Sequence, residues 1–331
     1  MANIKGIGRL IQFGIAKETT RGTAEAAATY YIPWSELSID EKYYLINNEQ
    51  SYGVIEDSVS ATIIKQWAEG SFTAPIGDKH FPLVLLSALG ALSTADNADS
   101  DASIKDHTIT VGQSAQPQAL SLCIDDPLGQ QDYKYALGVV SSLEIQYELA
   151  QFLSYTATLK SKKGATATLT PSTTTENRFL PKHVTFKVAS ALSGLDAASA
   201  ISIKSLNLTI NNNVEDYDVL GSVAPNDFLN KQFTIEGTLE AIYQNESDFK
   251  TAALAGTAQA FRIDLDNTDV TIGSAENPRI KIDLAKVYFT ELSRSIGLND
   301  VVKQTLSFKA HYSASDSKMV TILATNAVAS Y

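Results

Sequence analysis

The stretch Phe233-Thr234-Ile235-Glu236-Gly237-Thr238-Leu239-Glu240-Ala241-Ile242-Tyr243 decides the fold class. Phe233, Ile235, Gly237, Leu239, Ala241 and Tyr243 fall on one parity; Thr234, Glu236, Thr238 and Glu240 fall on the other. A strand sends successive side chains to opposite faces, so this period of two gives one apolar and one polar face. The same alternation runs through Leu143, Ile145, Tyr147 and Leu149, through Leu206, Leu208 and Ile210, and through Leu306, Phe308, Ala310 and Tyr312. Segments of this kind build antiparallel sheets closed over a core. The abundance of Thr, Val, Ile and Tyr agrees. The chain reads as all-β.

Helices are scarce in this reading. One is expected from Asp78 to Leu89 with Gly90 past its end, and another from Ser247 to Ala255 with Gly256 past its end. Each has a polar capping position before it and a glycine after it, and each suits an amphipathic helix covering the open end of a sandwich or barrel. Between residues 165 and 177 the sequence ATATLTPSTTTEN carries no aromatic residue and reads as a linker. The domain division that follows is an arm over 1–29, a β-domain over 30–164, the linker over 165–177, and a second β-domain with a C-terminal extension over 178–331. The formal charge is −7 before Pro171 and −4 from there on, so neither half is a charged tail.

The halves resemble each other. Lys65-Gln66-Trp67-Ala68-Glu69-Gly70-Ser71-Phe72 matches Lys231-Gln232-Phe233-Thr234-Ile235-Glu236-Gly237-Thr238-Leu239 with one inserted residue. Asn47 to Gly53 pairs with Asn211 to Tyr217, and Leu86 to Gly90 with Ala252 to Gly256. Phe152 to Lys160 pairs with Val302 to Lys309 at a spacing of about 149, against about 166 upstream. The first half therefore holds roughly 17 extra residues, and the polar stretch Ser93 to Asp106 is where a surface loop is expected.

Composition narrows the function. Of 331 residues, 44% are hydrophobic and 19% charged, which suits a folded chain. A net charge of −11 leaves no cation excess to displace counterions from nucleic acid. The single Cys123 excludes an internal disulfide and a multi-thiolate zinc site, and its neighbours Leu122 and Ile124 mark it as core. The longest apolar run, Phe81 to Leu92, is too short to cross a bilayer, and no signal-peptide pattern opens the sequence, so folding in a cytoplasm is expected. No catalytic, cofactor-binding or metal-ligating set emerges. Gly6-Ile7-Gly8-Arg9-Leu10-Ile11 lacks the third glycine of a dinucleotide fingerprint. His80, His107, His183 and His311 are scattered and read as surface or sheet-edge residues. Asp96, Asp99 and Asp101 lack the glycine and closing glutamate of a calcium loop. Lys160, Lys162 and Lys163 read as a charged strand edge.

Two segments carry a family resemblance. Gly14-Ile15-Ala16-Lys17-Glu18-Thr19-Thr20-Arg21-Gly22-Thr23 is similar to the opening of major tail tube proteins of long-tailed bacteriophages. So is the run from Leu206 to Glu215 followed by Tyr217, Gly221 and Phe233 to Thr238. The resemblance implies small β-sandwiches, each with a flanking helix, joined edge to edge into rings that stack into a tube for DNA ejection. Two such domains in one chain imply a ring of three chains with pseudo-sixfold symmetry. It also implies tail terminator, tape measure and baseplate proteins as partners, and DNA passing through the lumen without specific binding. The loops Leu45 to Ser58 and Asn211 to Asp227 are the candidate ring-to-ring contacts, with Asn47, Tyr52, Asn211 and Tyr217 as contact residues. The competing readings are a tandem β-sandwich adhesin using Trp34, Trp67 and the tyrosines as sugar platforms, the inner tube of a contractile injection machine, and a jelly-roll hydrolase.

Overall fold

The computed structural model describes residues 7–98, 102–127, 131–242 and 249–331. In the first half the strands are β1 (Gln12–Lys17), β2 (Tyr30–Ile32), β3 (Glu36–Asn48) and β4 (Ser60–Pro75). Helix α1 (His80–Leu89) follows, then β5 (Gly90–Asp96), β6 (Lys105–Val111), β7 (Leu120–Asp125), β8 (Asp132–Glu148), β9 (Ser154–Ser161) and β10 (Ala165–Ala167). The second half holds β11 (Val184–Ala189), β12 (Ser205–Asn211), β13 (Glu215–Tyr217), β14 (Asp227–Leu229) and β15 (Thr234–Ile242). Helix α2 (Lys250–Ala255) precedes β16 (Gln259–Asp266), β17 (Arg279–Ser295), β18 (Lys303–Ala310) and β19 (Val320–Asn326). The all-β reading is correct.

One antiparallel sheet runs through both halves in the order β3-β4-β9-β8-β12-β15-β18-β17. It consists of two four-stranded units with the same register. Across the first unit, Ile39, Gly70, Leu159 and Val140 lie in one row. Across the second, Leu208, Gly237, Phe308 and Phe289 do the same. A bulge follows Val140 on β8 and Phe289 on β17, at matching places. The two glycines answer one steric demand: a Cβ on Gly70 would fall on the carbonyl oxygen of Ser38, and one on Gly237 on that of Asn207.

β8 and β17 are long because each leaves this sheet through bulges and enters a second layer. There β8 pairs with β7 and β10, and β7 with β1. β17 correspondingly pairs with β16 and β19, and β16 with β11. The bulge between Leu120 and Leu122 has its counterpart between Gln259 and Phe261. Apolar side chains of both layers share one core, in which Phe13 of β1 packs on Phe72 and Phe186 of β11 on Phe261. Phe13 and Phe186 hold matching places, opposite Ile124 and Ile263.

Several expectations need correction. The segment read as an arm supplies β1, which pairs with β7 and with β2 just beyond it, and Phe13 and Ile15 are fully buried. Its Gly, Ala and Thr content hid a strand only six residues long. Part of the linker is β10, laddered to β8. Of the polar stretch 93–106, the beginning lies in β5 and the end in β6, which pair with each other, residues 99–101 lie outside the described residues, and β6 also pairs with β19 of the other half. Its alternating Ile109 and His107 face inward, fully buried, among flanking polar residues that mask the pattern. Row by row, β3 and β12 are spaced by 169 residues (Ile39 to Leu208), so Asn47 is not the counterpart of Asn211.

Both helices end on a left-handed glycine, Gly90 and Gly256. Neither has a side-chain N-cap bond: Lys79 and Phe249 occupy those places. α1 is buried on every side rather than amphipathic. The start expected at Ser247 lies outside the described residues.

Three of the four histidines are buried rather than superficial. His80 bonds Glu176; His107 bonds Thr94 and the Val328 carbonyl, each at 2.9 Å; His183 accepts from the Leu180 N–H at 3.1 Å. Cys123 is buried as expected, and burial pushes its thiol up to about 11.

Because Phe13 and Phe186 anchor matching corners of the core, Phe13→Ala and Phe186→Ala should each cost about 3–5 kcal/mol of stability. Chemical denaturation of the two variants measures this, and a loss below 1 kcal/mol at either position would contradict the shared role.

Candidate assembly surfaces

No described residues form a cluster of three or more metal-ligating side chains, and no described helix is long and apolar enough to cross a membrane. The conspicuous surfaces are instead edges, a face and two loops.

The edges come first. Among the described residues, β3 pairs with β4 on one flank only, and the last part of β17, from Glu291 to Ser295, pairs only with β18. Each presents a row of backbone N–H and C=O groups on its other flank, a template for another strand. Inside the chain, the corresponding strands β12 and β8 satisfy each other, from Ser205 opposite Glu148 to Asn211 opposite Ser142.

The outer face of the eight-stranded sheet is polar. It carries Glu36, Asp40, Glu69, Glu144, Glu148, Glu236, Glu240 and Glu291 against Lys42, Lys160, Lys303 and Lys309. Ser, Thr, Asn and Gln fill most remaining places. The face is net negative, and Glu236 pairs with Lys309 at 2.6 Å.

The four candidate contact residues divide between two loops. Asn47 pairs with Ala61 near the tip of the β3–β4 hairpin, and Tyr52 lies in its exposed turn, where its hydroxyl accepts from Asn48 Nδ2 at 3.0 Å. This hairpin exposes Tyr43, Tyr44, Leu45, Ile46, Ile63 and Ile64, a large apolar surface for a single chain. Asn211 ends β12, where its side chain accepts from the Asn213 N–H at 2.9 Å. Tyr217 lies in β13, opposite Asp227 of β14.

The second loop crosses the β8–β12 junction and is tied to the first half. Asp216 bonds both Lys65 and Lys160 at 2.7 Å, and Lys65 also meets Asp218 at 2.6 Å. Phe228 is fully buried with Ala119, Leu137 and Val139, and Trp67 packs beside them. Lys160 is thus an ion-pair partner rather than a free charged edge.

Glu18 and Arg21 have long-range roles that no local sequence pattern shows. Arg21 meets Asp227 with Nη2 at 2.8 Å and also donates to the carbonyls of Pro117 and Phe228. Glu18 accepts from the N–H groups of Leu137 and Gly22, each at 2.6 Å. It thereby holds the corner of β8 and a turn where Gly22 is left-handed. Burial pushes the Glu18 carboxyl up despite those two bonds. The Glu18-Thr19-Thr20-Arg21-Gly22 run is an architectural clamp.

These edges, this face and these loops belong to a molecule built to meet copies of itself. The family of phage tail tube proteins matches residues 8–310. The chain belongs to that family. No curated protein matches it. As a tail tube protein it is a structural component of the virion tail that assembles with itself into a tube. The adhesin and hydrolase readings find no such support.

The Asp216 tie makes the tail tube protein sensitive to acid. Burial pushes the Asp216 carboxyl up, but bonds and charge from Lys160 and Lys65 outweigh burial and hold it below the usual carboxylate range. A carboxyl lowered on folding contributes stability above its unfolded value and loses it as pH falls through its folded value. Asp216→Asn should therefore cost about 1.5–3 kcal/mol at neutral pH. The difference from wild type should narrow as pH falls through and below the usual carboxylate range in denaturant titrations; a deficit that stays constant down to full protonation of the carboxyl would contradict this account.

Proposed function

We propose that three chains close head to tail into a ring with pseudo-sixfold symmetry, and that stacked rings form the conduit for DNA ejection. The observation carrying this reading is the β8–β12 junction. It joins two units of identical strand order inside one chain and leaves the same two kinds of edge, β3 and β17, open outside. A rotation that joins unit to unit within a chain also joins chain to chain, and it closes after six units. Each chain is then a duplicated pair of tail-tube domains.

Dimensions favour three chains. Three sheets of eight strands give a 24-stranded wall, about 45–52 Å across between backbones for ordinary strand spacing and tilt. A DNA duplex passes through such a bore with room for side chains. Six chains would double the diameter and leave a wide gap around the duplex.

The polar face then lines the lumen. Its excess of carboxylates repels phosphates and keeps moving DNA from sticking, within a screening length of about 10 Å. The β3–β4 hairpin stands where the β12–β15 loop stands in the internal junction, so it crosses the chain–chain boundary. Its tip, with Asn47 and Tyr52, contacts the next ring, as do Asn211 and Tyr217. Tail terminator, tape measure and baseplate proteins are the further partners, and assembly takes place in the host cytoplasm. The tube needs no catalytic step.

Negative-stain images and mass measurement of the assembled protein test the ring, with three chains per ring expected. Six chains, or a monomer at every concentration, would overturn it. In phage carrying Asp40→Lys, Glu144→Lys and Glu148→Lys together, ejection should slow severalfold while tails still form. An unchanged ejection rate would remove the electrostatic role of the wall.

A further inference from the structure

We infer that the chain–chain junction copies the register of the internal β8–β12 ladder, and that it is selected by an ion pair between Lys42 of one chain and Glu291 of the next. The inference rests on the head-to-tail ring but is finer than it, because a ring could close in other registers.

The register follows from the row correspondence. β3 matches β12 with Ile39 at the place of Leu208, and β17 matches β8 with Phe289 at the place of Val140. Asn211 faces Ser142 and Asn207 faces Gln146 in the internal ladder. Carried outward, Lys42 takes the place of Asn211 and Glu291 that of Ser142. Likewise Ser38 takes the place of Asn207 and Ser295 that of Gln146. The Asn212 N–H donates to the Ser141 carbonyl at 2.9 Å. In an antiparallel ladder the next pairs along alternate, so Asn211/Ser142 and Asn207/Gln146 are the close, non-hydrogen-bonded kind. Lys42 and Glu291 would thus stand directly opposite at the shortest side-chain separation, with opposite charge.

The other face of the junction differs from its internal template in an instructive way. Internally, Ile210 of β12 and Ile145 of β8 point into the core, fully buried. Their counterparts on the open edges are Glu41 and Arg294, both exposed in the single chain. Core-facing charges on an edge strand deter unregistered sheet growth. In the inherited register Glu41 faces Leu292 and Arg294 faces Ile39, so the two charges are diagonal neighbours within reach of long side chains. A slip by one residue flips every side chain to the wrong face, and a slip by two sets Lys42 away from Glu291. Charge on both faces therefore selects one register and one partner, a second copy of this chain.

The test is a charge exchange on the full-length protein, read by sedimentation and electron microscopy. Lys42→Glu or Glu291→Lys alone should weaken each junction about fivefold. The double exchange Lys42→Glu with Glu291→Lys should restore assembly. If the wild type assembles but the double variant is no better than either single one, the register is wrong while the ring stands. If the wild type forms no ring, the ring reading itself fails. A second route avoids dependence on charge. Ser38→Cys with Ser295→Cys should give a chain-to-chain disulfide on oxidation and a covalent three-chain species on a denaturing gel. Ser38→Cys with Ser293→Cys should not. Cross-linking by the shifted pair alone would overturn the inferred register.

Discussion

The structure turns on the hydrogen-bonding appetite of a β-sheet edge. A strand at the edge of a sheet leaves about half of its backbone N–H and C=O groups unpaired, where a central strand pairs nearly all of them. Within this chain the last strand of the first unit and the first strand of the second satisfy each other through the β8–β12 ladder. That ladder buries Leu206, Leu208 and Ile210 with Tyr147, Ile145 and Leu143. The same appetite remains at β3 and at the last part of β17, and the proposed ring is the arrangement that satisfies it.

Everything else keeps those edges straight and presentable. β8 and β17 pass through bulges from the inner sheet to the outer layer, so each is held from two sides. Glu18 holds the corner of β8, and Arg21 fastens the amino-terminal segment to the loop that ends at Asp227. Buried side chains of both units form one continuous core, so the halves do not hinge as beads on a string. A wall that must hold its bore open gains from this rigidity.

Much of this was legible in the sequence, for a physical reason. A strand with one face in a core and one in water must alternate, and β8, β12, β15 and β18 do so plainly. Left-handed helix ends demand glycine, so Gly90 and Gly256 marked where α1 and α2 stop. Strands in the outer layer were harder to see. β1 has Phe13 to Ala16 buried on both faces, which erases alternation; β5 exposes Ser93, Thr94 and Asp96 in succession, and β6 carries polar residues that are only partly exposed. The repeat was visible because Gly70 and Gly237 answer the same close backbone approach. Its loops misled, because the match of Asn47 with Asn211 follows composition and not ladder position. The contacts of Arg21 and Asp216 are long-range ion pairs, and no local pattern announces the partner of a charge.

The β6–β19 ladder has a further consequence for the order of events at the ribosome. β6 leaves the exit tunnel early, but its partner β19 follows much later, with Ile322 opposite Ile109 across 213 residues of sequence. Arg21 likewise waits for Asp227, 206 residues later. Such non-local contacts form late and slowly. A nascent chain therefore cannot lock its first module before the second has emerged. Until then β6 keeps one flank without its β19 ladder, and the Arg21 guanidinium lacks the carboxylate of Asp227.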